Sequence, residues 1–333
     1  MNRNKSIRVI APGRLHMGFL DPSASLKRKF GSLGVALKEI ATEITVRRAP
    51  VLSVTGPQSG RVRKYVEQLT AALAVPGNLH VEIQRAIPEH VGLGSGTQMA
   101  LAVGFAVNHL FDLGFSVREI AGFTERGARS GIGIGTFEKG GLIVDGGRSS
   151  ATGTPPTIAR INVPSRWRFI LVFDEREQGL NGSGELQAFR KLPPFPESRA
   201  ARICHLLLMK GLPALVEEDI DAFGDAITEI QQSVGDYFAP AQGGRFMNPE
   251  VEKAVAWLGE RGAVAMGQSS WGPTGFCLVD SEDRARSLVR EMTSLSACSS
   301  ELRVEIVSPE NDGEDCRWHA FHEARPVGLG QPV

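Results

Sequence analysis

The 333-residue sequence has no apolar run approaching the roughly 18 residues needed to cross a bilayer. Its opening, MNRNKSIRVIAPGR, has no apolar core followed by a cleavage site. No membrane partner and a cytoplasmic location are therefore expected. Cysteine is scarce: Cys204, Cys277, Cys298 and Cys316 form no C-x-x-C pair and have no histidine at zinc-ligand spacing. Reduced thiols are expected rather than a disulfide framework or a zinc site. Net charge is also missing, since 37 Lys+Arg balance 37 Asp+Glu, and this argues against general affinity for nucleic acid.

What is present is ordinary for a globular chain: 42% hydrophobic and 22% charged residues exclude global disorder, and the length suits two domains or one large α+β body. The neutral total hides an uneven distribution. Residues 1–50 hold ten Lys/Arg against three acids, whereas residues 300–333 hold seven acids against three Arg. Arginine outnumbers lysine by 28 to 9, reflecting either bidentate grip on phosphate and carboxylate or codon bias.

Alternating and β-rich patterns predict strands over 7–12, 35–48, 52–56, 79–87, 140–146, 157–163, 169–174, 262–267, 274–279 and 302–307. Helices are expected over 62–74, 97–111, 197–210, 213–233, 248–259 and 281–293, and from the capping box Ser116-x-x-Glu119 to about Gly127. The most loop-like stretch is SSATGTPPT at 149–157. The expected division is an N-terminal domain over 1–163 and a C-terminal domain over 164–333, with no internal repeat.

Four segments carry the chemistry. In PEHVGLGSGTQMALAVG (88–104) a strand enters a glycine loop and a helix begins at once. Glycines let a ligand approach the backbone, and free N–H groups at a helix start attract anions. Gly92, Gly94, Ser95, Gly96, Thr97 and Gln98 are thus candidate phosphate contacts, with a tight structural turn as the plainer alternative. The segment lacks the lysine of a nucleotide P-loop and does not fit G-x-G-x-x-G. APGRLHMGFLD (11–21) places Arg14, His16 and Asp21 just after a strand. Arg14 would clamp an anion, His16 donate a proton or hydrogen bond, and Asp21 hold a metal or sugar hydroxyl. Alternatively His16 is structural and Asp21 forms a turn before Pro22.

RSGIGIGTFEKGGLIVDGG (129–147) is too glycine-rich for an ordinary helix or strand and reads as a second ligand-shaped loop. Ser130 joins the candidate substrate contacts and Glu138 the candidate metal ligands. Asp145 is a further acid there, or a hairpin turn. GQSSWGPTG (267–275) sets Gln268, Ser269 and Ser270 beside Trp271, an arrangement that suits an aromatic or sugar-like ligand, or a turn capped by tryptophan. Asp174 ends a strand and completes the acids considered as metal or ribose ligands.

Taken in order, APGR, P-x-x-x-G-L-G-S-G and GAVAMGQSSWGP resemble the GHMP kinase superfamily over nearly the whole chain. More narrowly, GRLHMGFLD, HVGLGSGTQ, SGIGIGTFEKGG, QGGRFMNPEV and GQSSWGPT resemble its β-ribofuranosylaminobenzene 5′-phosphate synthases, which are not kinases. The resemblance implies an α+β, GHMP-kinase-like two-domain fold: an N-terminal ribosomal-protein-like α/β domain and a C-terminal ferredoxin-like α+β domain. It also implies a reaction joining 4-aminobenzoate to phosphoribosyl pyrophosphate, with release of carbon dioxide and pyrophosphate, early in tetrahydromethanopterin biosynthesis. Magnesium, no organic cofactor and a homodimer are expected with it. Superfamily kinases of the mevalonate-kinase type carry a catalytic Asp shortly after a Ser-Gly pair, but Ser130-Gly131-Ile132-Gly133 puts Gly133 at that place. A hydroxyl nucleophile would lack its base or orienting group. An ATP-dependent small-molecule kinase, and a sensor that kept the site without its chemistry, are the competing readings.

Overall fold

A computed structural model describes residues 5–149, 153–174, 176, 179, 192–295, 299 and 301–320. Cys298 and positions 150–152 of the loop-like stretch lie outside them. Cys204 and Cys277 are free thiols.

Two long strands, β1 (Lys5–Asp21) and β2 (Phe30–Arg48), pair antiparallel and form the backbone of the first sheet. Their alternating apolar residues, among them Ile7, Val9, Ala11, Ile44 and Val46, are buried. The last six residues of β2 pair with β4 (Leu79–Arg85), which carries the short parallel strand β3 (Ser53–Thr55). The other end of β2 pairs with β5 (Leu142–Asp145), and β5 with β6 (Thr157–Ile161). Helices α1 (Ser59–Ala72), α2 (Ser95–Phe111), α3 (Val117–Phe123) and α4 (Ile132–Lys139) supply the residues packed against this sheet. The Ser116/Glu119 capping box opens α3.

The second sheet has the order β10-β7-β9-β8, from β7 (Arg168–Asp174), β8 (Val264–Gln268), β9 (Gly275–Val279) and β10 (Leu302–Val307). Helices α8 (Pro249–Gly259) and α9 (Glu282–Ser294) share one apolar cluster with it. The remaining helices are α5 (Glu197–Leu206), which continues through one π-helical stretch (Leu207–Gly211) into α6 (Leu212–Glu217), and α7 (Ile220–Gln242). A single continuous core joins Leu15, Met17 and Phe19 of β1 to Phe223, Ile227 and Ile230 of α7 and to Phe169 and Leu171 of β7. The two sheets therefore stand over a shared interior, where the site lies.

Three local expectations are corrected. Residues 11–21 do not follow a strand but continue β1, because pairing with β2 persists past Pro12 through bulges at Pro12/Gly13 and His16/Gly18. The stretch 129–147 is not one loop: residues 132–139 form α4. Its glycines are there for close approach, since a Cβ at Gly135 would stand 2.7 Å from Ile143 Cγ2. A single helix over 213–233 is broken at Glu218, which is left-handed, and restarted by Asp219, whose carboxylate accepts from Ala222 N. Strand β11 (Asp315–Ala320), which sequence patterning did not reveal, returns from the second half to pair with β1.

Candidate active site

Four glycine-bearing segments that are distant in sequence meet at the start of α2. Gly92 and Gly94 have φ of 84° and 85°, a left-handed conformation that glycine adopts without Cβ strain. A Cβ at Gly92 would stand 2.4 Å from the Ser269 carbonyl oxygen, and one at Gly272 2.4 Å from Gly92 N. The loops at 92–96 and 267–275 thus touch backbone to backbone. A Cβ at Gly94 would stand 2.9 Å from Arg14 Cγ, and one at Gly133 2.9 Å from Thr97 Cγ2.

Hydrogen bonds tie the same segments. Arg14 N donates to the Leu93 carbonyl at 3.0 Å, and Arg14 Nη1 to the Gly92 carbonyl. Ser269 Oγ donates to that Gly92 carbonyl at 2.8 Å and accepts from His16 N at 3.0 Å. Thr274 Oγ1 donates to the Val91 carbonyl at 2.6 Å, and Gln98 Nε2 to the Gly133 carbonyl at 2.8 Å. Ser270 holds φ of 58°, a conformation that costs a non-glycine residue energy and is found at functional sites.

A cleft opens before this junction, lined by Arg14, His16, Thr97, Ser130, Ser270 and Trp271 together with Arg126 and Arg129. Three arginines line it against one acid, Glu125. Arg61 stands beside them, with Nη2 2.5 Å from where a Gly96 Cβ would be. The first-turn N–H groups of α2 add partial positive charge. The lining is net positive and favours an anion.

His16 sits where the β1 bulge re-aims its side chain inward. It is 2% exposed, and its Nε2 has no hydrogen-bond partner among the described residues. Burial, then the Arg14 charge and to a lesser extent that of Arg129, holds its pKa well below the ordinary value. The imidazole is therefore neutral near pH 7. Trp271 lines the cleft but is almost wholly buried, its ring 4.3 Å from that of Phe238. Ser95, Gln98, Gln268 and Ser269 are buried, and Gln268 is tied to Met247 N at 2.6 Å.

The three candidate metal acids stand on different elements, and none lines the cleft. Asp21 accepts from Ser23 N at 3.0 Å and from Ser25 N at 2.7 Å, closing the turn after β1. Glu138, on α4, is 3.8 Å from Arg118. Asp174 is gripped by Arg176 at 2.9 and 2.6 Å, which lowers its pKa to about 2. Among the described residues no three His, Cys, Asp or Glu gather as a metal cage. Asp145 is fully buried and accepts from Gly131 N at 2.8 Å and Gly147 N at 2.9 Å, anchoring the start of α4. Arg61, Glu125, Arg126 and Arg129 escaped sequence reasoning. The available signal was the Arg126/Arg129 pair at the entry to the Gly-rich run.

The chain matches the family models described as GHMP kinases N terminal domain over residues 60–139 and GHMP kinases C terminal over residues 212–297. It is 36% identical over 291 residues to the β-ribofuranosylphenol 5′-phosphate synthase of Archaeoglobus fulgidus, covering 83% of this chain and 88% of that one. It is 31% identical to the protein of that name from Methanothermobacter thermautotrophicus, covering 82% and 88%. Among solved structures, homoserine kinase from Cytophaga hutchinsonii superposes with a TM-score of 0.66 at 17% identity, covering 95% of this chain and 98% of that one. Mevalonate diphosphate decarboxylase from Staphylococcus aureus gives 0.67 at 14%, covering 94% and 98%. These two establish the α+β GHMP fold alone. No helix among the described residues is long and apolar enough to cross a membrane. With the cleft where the glycine segments meet and with synthases as its relatives over most of its length, the chain belongs to the β-ribofuranosylphenol 5′-phosphate synthase family of the GHMP kinase superfamily.

Proposed function

We propose that this protein condenses 4-aminobenzoate with phosphoribosyl pyrophosphate, releasing carbon dioxide and pyrophosphate and forming β-ribofuranosylaminobenzene 5′-phosphate for tetrahydromethanopterin. The observation that carries this reading is the cleft in which Arg14, Arg126 and Arg129 face a single acid at a helix start. Such a cleft suits pyrophosphate, whose charge must be held as it leaves. The C–O bond between ribose C1 and pyrophosphate breaks, and the pyrophosphate takes the electron pair. The ring carbon bearing the carboxylate bonds to C1, and the electrons left by departing carbon dioxide restore aromaticity. Orientation is the main demand, and the arginine fork and buried walls serve it.

The described residues do not provide a protein cage for magnesium, because the nearby acids are dispersed and bound to other groups. Any magnesium would have to enter on the phosphate substrate, with no protein cage for it among the described residues. A kinase reading is weakened at Gly133, which presents no carboxylate and packs directly on Thr97. The relatives' names specify a phenol product, and this favours 4-hydroxybenzoate as a second acceptor reading. We further propose a cytoplasmic homodimer. The deciding experiment supplies carboxyl-labelled 4-aminobenzoate or 4-hydroxybenzoate, phosphoribosyl pyrophosphate and magnesium, and counts released carbon dioxide. Absence of release from either acid, with ATP consumed on an added alcohol, refutes the proposal.

A further inference from the structure

Beside the cationic cleft lies a second, smaller and narrow chamber, bounded by β1 and α7. His16, Phe19 and Ser270 line both spaces, so the two share a wall. The rest of the side chamber presents Gly18, Val234, Gly235 and Phe238, the amides of Gln231, Gln242 and Gln268, and Arg245, whose guanidinium is paired with Asp236. Buried in the shared wall, His16 Nε2 has no hydrogen-bond partner among the described residues, a state that favours a polar ligand there.

Packing determines which end of each amide is available. Gln231 Oε1 accepts from Gln268 N at 2.9 Å, and its carboxamide carbon stands 2.4 Å from where a Gly267 Cβ would be. The side chain thus lies flat on bare backbone, and with Oε1 committed, its Nε2 is a donor. Gln242 is held the other way: Nε2 donates to the Gly244 and Arg245 carbonyls at 3.0 and 2.9 Å. Its Oε1 remains an acceptor, met by a long 3.4 Å contact from Gln268 Nε2.

We infer that this chamber holds the ring of the aryl acid, and that Gln231 and Gln242 read the substituent para to its carboxylate. The inference rests on the proposed reaction. The carbon bearing the carboxylate must face the ribose in the cationic cleft, and a para substituent lies on the opposite end of the same axis. It therefore reaches the amides. As the ring attacks, positive charge spreads onto the para nitrogen or oxygen, and its N–H or O–H bond to Gln242 Oε1 strengthens with that charge. Gln231 discriminates between the two: a hydroxyl oxygen accepts from its Nε2, whereas an aromatic amine, with its lone pair delocalised, does not.

The test compares wild type, Gln231→Glu and Gln242→Leu with 4-aminobenzoate, 4-hydroxybenzoate and benzoate, by calorimetric binding and by carbon dioxide release. In Gln231→Glu the new carboxylate still accepts from Gln268 N but presents an acceptor where the amide presented a donor. Two acceptors suit two N–H groups and leave one unmatched beside a hydroxyl. The amine-to-hydroxyl ratio of kcat/KM, and of affinity, should shift about tenfold or more toward the amine. Gln242→Leu should lower kcat/KM about tenfold or more for both acids while the KM for phosphoribosyl pyrophosphate stays within about twofold. A ratio unmoved in Gln231→Glu together with unaltered turnover in Gln242→Leu overturns the inference, as does failure of wild type to bind any of the acids. If the acids bind with a ratio that shifts in Gln231→Glu but no carbon dioxide appears, the chamber assignment is supported and the proposed reaction is refuted.

Discussion

Arg14→Ala separates the arginine's role in the fold from its role toward an anion. Arg14 Nη1 donates to the Gly92 carbonyl, but that oxygen also accepts from Ser269 Oγ at 2.8 Å, so it keeps a partner after truncation. The backbone bond from Arg14 N to Leu93 is untouched. Loss of fold stability should therefore stay within about 1 kcal/mol, the size of one ordinary hydrogen bond. The anion in the cleft loses a charged donor, worth about 1.5–3 kcal/mol. This corresponds to a decrease of about 10- to 150-fold in kcat/KM. Carbon dioxide release at varied phosphoribosyl pyrophosphate, paired with thermal melting, provides the measurement. Arg14→Lys should recover only part of the loss, because an ammonium keeps the charge but not the planar fork. An unchanged rate in Arg14→Ala, or a rate loss fully accounted for by unfolding, would refute the placement of Arg14 against the leaving group.

Two further perturbations test the surroundings. Gly133→Ala places a Cβ 2.9 Å from Thr97 Cγ2. The overpacking outweighs the gain in helix propensity, for a net loss of about 1 kcal/mol, and displaces the start of α2. A melting temperature equal to or above wild type would show the α2–α4 gap to be slack. Burial, reinforced by the nearby Glu138, pushes the Glu314 pKa up to about 7 from 4.5. Since the folded state then holds a proton that the unfolded state releases, this contribution to stability is present below about pH 4.5 and is lost as pH rises through about 7. Glu314→Gln should raise the melting temperature at pH 8 more than at pH 5, and equal changes at both would exclude this linkage.

Much of the architecture was legible locally. The alternation of Ile40, Thr42, Ile44 and Val46 marked a strand, and β2 contains it. The Ser116/Glu119 box marked the start of α3. The GLGSG run marked the turn into α2, because positive φ at Gly92 and Gly94 is a requirement of the backbone itself. Elsewhere local composition misled. Seven glycines in nineteen residues predicted a loop, but Gly133 and Gly135 instead let α4 approach Thr97 and Ile143 closely. Propensity weighs a residue against its neighbours in sequence, and tertiary packing overrode it here.

The amino-acid sequence by itself determined most of the elements, though not α4 or β11, together with the glycine turns and the motifs that carry the family resemblance, since each depends on residues a few positions apart. The scarcity of cysteine, the balanced charge and the lack of long apolar runs narrowed the field as properties of composition. Tertiary structure alone decided that Arg126 and Arg129 line the cleft with Arg14, and that Asp21, Glu138 and Asp174 do not. It also decided that His16, turned inward by a bulge, joins that cleft to a chamber made by α7. Such placements depend on strand register and on contacts such as Ser269 to Gly92, which lie 177 positions apart. No periodicity within either segment encodes the distance between them.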